Sequence, residues 1–309
     1  MATQETEPDV HANRPEVGLR VEQAGYSEVK KVFTIAQEDE PPVAFSAEFG
    51  IYVDLPSSRL GVDMSRNIVA LNEALKEAES DPEYSIETVC ERAAERLYEK
   101  HDYTTRAEIV MDGTFVRSEN TPESELLNEE AVKIFGGAIV GDEENSRKIG
   151  VEVPGMLACP CTQGASDNRA QNMLSEFGVQ QSDADTFVNE VPQMTHSQCS
   201  YGTIVVEGEE IDDISVNELI DIAHDSMSSR VYNTLKRTDE DHIVRAAHEV
   251  PRVTEDSIRL MAKGIIDQYS GLSDDTSVTL EEWSDESIHQ HNARSKLSTT
   301  VGDLRDKLA

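Results

Sequence analysis

Positive charge is what this sequence has least of. Its 309 residues carry 27 Lys and Arg against 61 Asp and Glu, a formal charge of −34. Only ten of the cations are lysines. A polyanion of this kind repels nucleic-acid backbones and has few cations with which to displace their counterions, so no nucleic-acid partner is expected. Long apolar runs are missing too. None approaches the roughly 20 residues that cross a bilayer, so no membrane partner is expected either. The opening residues, MATQETEPDV, lack the apolar core of a secretory signal, which points to a cytoplasmic location. The four cysteines, Cys90, Cys159, Cys161 and Cys199, are too few in a chain this long for a disulfide framework. No G-x-x-x-x-G-K phosphate loop is present, and Gly136-Gly137 stands in no such pattern.

What is there suffices for one large domain or two of ordinary size with a real core. The 38% apolar content falls in patterned segments rather than disordered tracts. An acid-rich, lysine-poor surface suits a saline cytoplasm and a halophilic protein, because hydrated carboxylates keep a surface wet at high salt. An acidic protein of ordinary cytoplasm is the alternative.

Residues 1–16 are polar and read as loose. Phe45, Ala47, Phe49, Ile51, Val53 and Leu55 alternate with polar residues, which predicts a half-buried strand over Val43–Leu55. A loop follows over Pro56–Asp63. Met64–Ala78 and Tyr84–Tyr98 read as helices, the second capped by Ser85 with Glu87 in its first turn. Ala107–Met111 returns to strand, and Val132–Val153 holds two strands split by the polar Gly141–Arg147. Residues 164–190 read as polar helix, Gly202–Glu207 as strand and Val216–Leu235 as one long helix. Asp239–Glu249 and Thr254–Tyr269 read as helices broken by Pro251, Val278–Trp283 as strand and Thr299–Ala309 as a short amphipathic helix. This order is α+β with antiparallel sheet rather than βαβ alternation.

Four clusters carry possible chemistry. Cys159-Pro160-Cys161 places two thiols two apart in what reads as an extended segment, pointing the same way; one suits a metal while the other stays free, or both are structural. His196 lies in Thr195-His196-Ser197-Gln198-Cys199. Thiolate and imidazole together suit Zn(II) or Fe(II), and an added carboxylate suits Mn(II) or Fe(II). Lys236-Arg237-Thr238-Asp239-Glu240 sets a basic pair in an acidic chain. It reads either as the C-terminal end of a helix, where the dipole favours cations, or as a phosphate-meeting pair followed by a metal-ligating Glu240. Glu286-Ser287-Ile288-His289-Gln290-His291 carries two imidazoles at period two, suited to proton transfer if both face one side.

Together with Asp63-Met64-Ser65-Arg66 and Glu255-Asp256, these runs stand in one order along most of the chain. In that order the sequence resembles the type IB GTP cyclohydrolases, and more closely their archaeal MptA-type relatives. The chain departs from the family pattern at Cys199, where an Arg is common, and at Thr238, where a Pro is common.

The resemblance implies a tunnelling fold, in which antiparallel sheets with helices on one face assemble into barrels. It implies two such units per chain, 17–158 and 159–309, the second carrying most of the site, in a homotetramer with sites at subunit interfaces. Cys159, His196 and Glu240 are the implied metal ligands, with Cys161 beside them and the two cysteines able to exchange roles. The ion is expected to be Fe(II), with Mn(II) or Zn(II) as alternatives. Glu255 is expected to grip the guanine edge through two parallel hydrogen bonds. Lys236, Arg237 and Arg66 are expected at the substrate, and His289 and His291, with Cys161, in the catalysis.

The implied reaction opens the imidazole ring of GTP at C8 and releases formate. In the archaeal branch it yields 7,8-dihydroneopterin 2',3'-cyclic phosphate and pyrophosphate, the first step toward pterins of the tetrahydromethanopterin or folate type; in the bacterial branch the triphosphate is kept. The competing readings are another tunnelling-fold enzyme with Cys161 as nucleophile, and a metal-binding protein without turnover.

Overall fold

The structure, a computed structural model, describes residues 9–35, 43–81 and 85–308. Tyr84, expected to open the second helix, and residues 1–8 of the loose N-terminus lie outside the described residues. The chain divides into two compact units interleaved in sequence. The first comprises Met1–Phe115, Phe135–Ile149 and Glu207–Ile211; the second comprises Val116–Ile134, Gly150–Val206 and Asp212–Ala309.

In the first unit, β1 (Val21–Ile35), β2 (Val43–Leu55) and β3 (Arg106–Asn120) are neighbours in that order, followed by β4 (Leu127–Gly141) and β5 (Asn145–Ala158). β1 and β3 both pair antiparallel with β2. The alternation read over β2 buries Phe45, Ala47, Phe49, Ile51, Val53 and Leu55. Phe45 stacks on Phe33 at 5.5 Å and on Phe115 at 5.9 Å between ring centroids. Helices α1 (Met64–Ala78) and α2 (Ile86–Lys100) add Leu71, Leu75, Val89 and Leu97 to this core. Ser85 caps α2 as expected, its Oγ accepting from Thr88 N at 3.3 Å.

β1 was not foreseen, and its backbone explains why. Register shifts between Val21 and Ala24 and between Tyr26 and Val29 break the period-two pattern, since each bulge flips the faces that follow it. Glu28 takes a positive φ of 58° within the second shift. Gly25 allows the close approach there: a Cβ would lie 1.9 Å from Ile51 O.

In the second unit the strand order is β3-β4-β5-β6-β8-β9, with β6 at Ser197–Gly208, β8 at Ser277–Ser284 and β9 at Ala293–Thr300. The two-residue strand β7 (Ser229–Arg230) pairs antiparallel with Gly155 and Met156 of β5. Among the described residues, six helices belong to this unit: α3 (Pro160–Glu176), α4 (Gln181–Glu190), α5 (Val216–Asp225), α6 (Arg237–Glu249), α7 (Thr254–Gln268) and α8 (Val301–Leu308). Leu219, Met261, Ile265, Leu304, Ile204 and Leu280 are buried in its core.

Two expectations are corrected here. The helix predicted over Val216–Leu235 ends at Asp225. A serine-rich stretch ends it, because Ser hydroxyls compete for backbone groups: Ser226 Oγ bonds Ile222 O at 2.7 Å and Ser228 Oγ accepts from Ala158 N at 3.1 Å. The Cys-Pro-Cys run is not extended. Pro160 is the first residue of α3 with Cys159 as its N-cap, which is the position a proline favours. No helix among the described residues is long and apolar enough to cross a membrane.

Candidate active site

The end of β5 is pinned from three sides. Ala158 N–H bonds Ser228 Oγ, and its carbonyl accepts from Arg252 N at 3.0 Å. Cys159 N–H then donates to His196 O at 3.0 Å, and Thr195 Oγ1 donates to Cys159 O at 2.6 Å. The chain on either side of Cys159 and the entry to β6 are therefore one hydrogen-bonded unit, and the thiol and imidazole face the same cleft.

That cleft has a volume of about 260 Å³, and Cys159, His196, Glu255, His289 and His291 all line it, with Gln198, Arg252 and Glu286. His289 and His291 lie in the loop between β8 and β9. Their rings stack at 5.2 Å and 20°, so they do share one side. His289 also meets His196 edge-on, 6.5 Å between centroids. Glu255 is in the first turn of α7, its Oε2 accepting from Thr254 Oγ1 at 3.2 Å. Arg252 Nη1 donates to the carbonyls of Asp225 and Met227, the latter at 2.9 Å. Burial pulls its guanidinium below the usual arginine range, with Asp256 and Asp225 opposing.

The other sequence candidates do not line this cleft. Cys161 is exposed in the first turn of α3. Lys236, Arg237 and Glu240 are exposed at the start of α6. The basic pair thus sits at a helix N-terminus, where the dipole disfavours cations, and not at the C-terminus that one reading supposed. Arg66 belongs to α1 of the first unit, with Nη1 bonded to Lys100 O at 2.7 Å and paired with Asp63 at 3.2 Å. Nearby, burial first and the Arg66 charge second push the buried His101 down to about 4. Among the described residues, the one set of three possible metal donors within 4.8 Å of one another is Asp9, His11 and Asp63. Arg59 already pairs with both of those carboxylates, at 3.7 and 2.9 Å.

Four neighbouring residues escaped the sequence reading. Asp239, beside Glu240, is fully buried. Burial raises its carboxyl, but bonds from Ser124 Oγ and from the N–H groups of Lys236, Ser124 and Glu123 prevail and hold it well below the usual range. It fixes the start of α6. Glu282 is buried between Ser200 and Ser257. Gln198 and Glu286 join His196 to the histidine loop: Gln198 Oε1 meets His196 Nδ1 at 3.0 Å and Gln198 Nε2 donates to Glu286 Oε1 at 3.1 Å. Glu286 opens the motif that carries the two histidines, a signal the sequence did offer.

A crystal structure of uricase from Arthrobacter globiformis superposes with a TM-score of 0.53 over 90% of this chain and 93% of that one, at 6% identity. The likeness is one of fold, the α+β tunnelling fold. GTP cyclohydrolase MptA of Haloferax volcanii is 42% identical over 301 residues, 97% of this chain and 98% of that protein. GTP cyclohydrolase MptA of Haloarcula marismortui is 40% identical over 302 residues, 98% of each. GTP cyclohydrolase MptA 2 of Methanocella arvoryzae is 39% identical over 304 residues, 97% of this chain and 98% of that protein. The model of the type I GTP cyclohydrolase folE2 family matches residues 8–295. With a family match over nearly its whole length and relatives at this identity, the chain belongs to the type I GTP cyclohydrolase family.

Proposed function

We propose that the protein opens the guanine imidazole ring of GTP at C8 with a divalent ion, releases formate and closes a pterin. The observation that carries this reading is the single cleft lined by Cys159, His196, Glu255, His289 and His291. Membership in a GTP cyclohydrolase family gives the substrate class.

The donor chemistry suits the ion. Cys159 offers a thiolate and His196 an imidazole, their backbones joined and His196 Nδ1 engaged by Gln198. Borderline ions such as Fe(II) and Zn(II) take this pair, and a carboxylate extends the range to Mn(II). Cys159 and His196 would hold the ion, with Glu240 proposed as the third ligand. When bound, the ion supplies a lowered pKa to the attacking water.

Each remaining role falls to a residue of this chain. Glu255 accepts from the guanine N1–H and exocyclic amine, fixing the base in the cleft. His289 and His291 give and take protons: one proton goes to the ring nitrogen as the C8–N bond opens, and another is handled as a second water frees formate. Arg252, Lys236 and Arg237 offset negative charge on the triphosphate, which the −34 of the whole chain would otherwise repel. The proposed product is 7,8-dihydroneopterin 2',3'-cyclic phosphate with pyrophosphate, and the proposed assembly is a homotetramer with its sites at subunit interfaces. Glu240 is exposed and outside the cleft lining, so its role as third ligand requires that arrangement.

The test is incubation of anaerobically purified protein with GTP and Fe(II), followed by mass analysis. Formate together with a cyclic phosphate and pyrophosphate is the expected result. Dihydroneopterin triphosphate would correct the product, and unchanged GTP would overturn the activity. Native mass spectrometry of the same sample reads the assembly.

A further inference from the structure

Glu286 has no part in the chemistry just described, yet it lines the cleft. It is held firmly. Its Oε1 accepts from Gln198 Nε2 at 3.1 Å and from Ser284 Oγ at 3.2 Å, and its backbone N–H donates to Asn292 Oδ1 at 3.3 Å. These contacts bear on a proton position that heavy atoms alone leave open.

An ionised carboxylate only accepts hydrogen bonds, so the end of the Gln198 amide that faces it is the NH2. The other end, Oε1, then faces His196 Nδ1 at 3.0 Å. A carbonyl oxygen also only accepts, so Nδ1 carries the proton. In a neutral imidazole the second nitrogen, Nε2, then keeps its lone pair. Turning the amide over would set Oε1 against the carboxylate oxygen and lose that bond, leaving only a bond from the amide NH2 to an unprotonated Nδ1.

We propose that Glu286 and Gln198 form a positioning relay that fixes His196 as its Nδ1–H tautomer and leaves the Nε2 lone pair for a divalent ion. The proposal rests on the metal reading above for its purpose, though not for its geometry. A hydrogen bond to the far nitrogen also raises the basicity of the ligating one, and loss of such a partner commonly costs 10- to 100-fold in metal affinity. The same relay ties β6 to the loop that carries His289 and His291, so the ligand and the proton-transfer groups are set by one carboxylate.

The experiment has two arms. The first is nitrogen-15 NMR of histidine-labelled, metal-free protein above the imidazole titration, with His196 assigned by His196→Asn. The expected wild-type signature is a protonated Nδ1 and an unprotonated Nε2. Gln198→Met keeps the side-chain shape and removes both bonds. Glu286→Gln keeps the size but lets either amide orientation be satisfied. Both variants should give a mixed or inverted tautomer. The second arm is Zn(II) affinity by competition with a chromogenic chelator, expected to fall about 10- to 100-fold in each variant. A protonated Nε2 in the wild type overturns the relay. So does an unchanged tautomer with unchanged affinity in both variants. If His196→Asn binds Zn(II) as tightly as the wild type, the metal reading falls instead, and the relay is then judged by the tautomer alone.

Discussion

Ser257 Oγ donates to Glu282 Oε2 at 2.8 Å, joining the first turn of α7 to strand β8. The other carboxyl oxygen accepts from Ser200 Oγ on β6. One fully buried carboxyl thus links two strands to the helix that presents Glu255 to the cleft. Burial pushes Glu282 up from an ordinary 4.5 to about 7, the two serine bonds opposing it.

Such a shift has a defined sign. The folded state holds its proton where the unfolded chain has released it, so this group lowers stability as pH rises from about 4.5 to about 7. A rise from 4.5 to about 7 corresponds to on the order of 3 kcal/mol, fully felt above pH 7. Glu282→Gln removes the ionisation and keeps the contacts, since one serine hydroxyl can rotate to accept from the new amide. The variant should match the wild type near pH 4.5 and be more stable at pH 8, by up to about 3 kcal/mol. Denaturant unfolding at both pH values checks this. A variant that loses stability equally at both would show that the carboxylate, not the carboxylic acid, is the native form.

Elements whose pattern follows burial were legible in the sequence. β2 alternates because one face is core, and α2 begins where Ser85 can cap it. β1 was not legible because its bulges shift the phase, and Val216–Leu235 read as one helix because nothing in its periodicity marks the serines that tie back to Ile222 and β5. At the site, residue types with chemistry of their own stood out, and five of them share the cleft. Gln198, Glu282 and Asp239 did not stand out, because their roles lie in partners far along the chain: Glu286, Ser200 and Ser124. Period cannot report such pairings.

Salt dependence follows from charge. The acid excess repels itself at low ionic strength, where the Debye length is about 10 Å at 0.1 M against about 3 Å at 1 M. Stability should therefore climb from low salt into the molar range. Thermal unfolding at several KCl concentrations is the check; a midpoint that is flat or falls with salt rules this out.

The two cysteines should separate cleanly. Cys159 lines the cleft beside His196, whereas Cys161 is exposed on α3 and outside it. Cys159→Ala and His196→Ala should each lower metal affinity by about 10-fold or more, and Cys161→Ala should retain the ion. Activity should vanish with chelator and return best with Fe(II) or Mn(II). Elemental analysis of the three variants decides it: metal lost from Cys161→Ala and kept by Cys159→Ala would exchange the two roles.

The carboxylates separate binding from chemistry. Glu255 lines the cleft from α7, and Glu240 is exposed at the start of α6. Glu255→Gln keeps size but turns one acceptor oxygen into a donor, facing donors on the guanine edge. Glu255 is exposed in the structure, and a donor left without an acceptor once the bound base covers it costs on the order of 1–3 kcal/mol. GTP affinity should therefore fall about 10- to 100-fold, because each 1.4 kcal/mol is a factor of about ten. Bound metal should stay at the wild-type level. Glu240→Gln should show the opposite order, losing metal first and GTP affinity only through it. Metal content and GTP binding measured side by side on both variants test this. If Glu255→Gln loses its metal while Glu240→Gln keeps it, the two roles are reversed. The ligand set would then be Cys159, His196 and Glu255, all of which already share one cleft within a single chain.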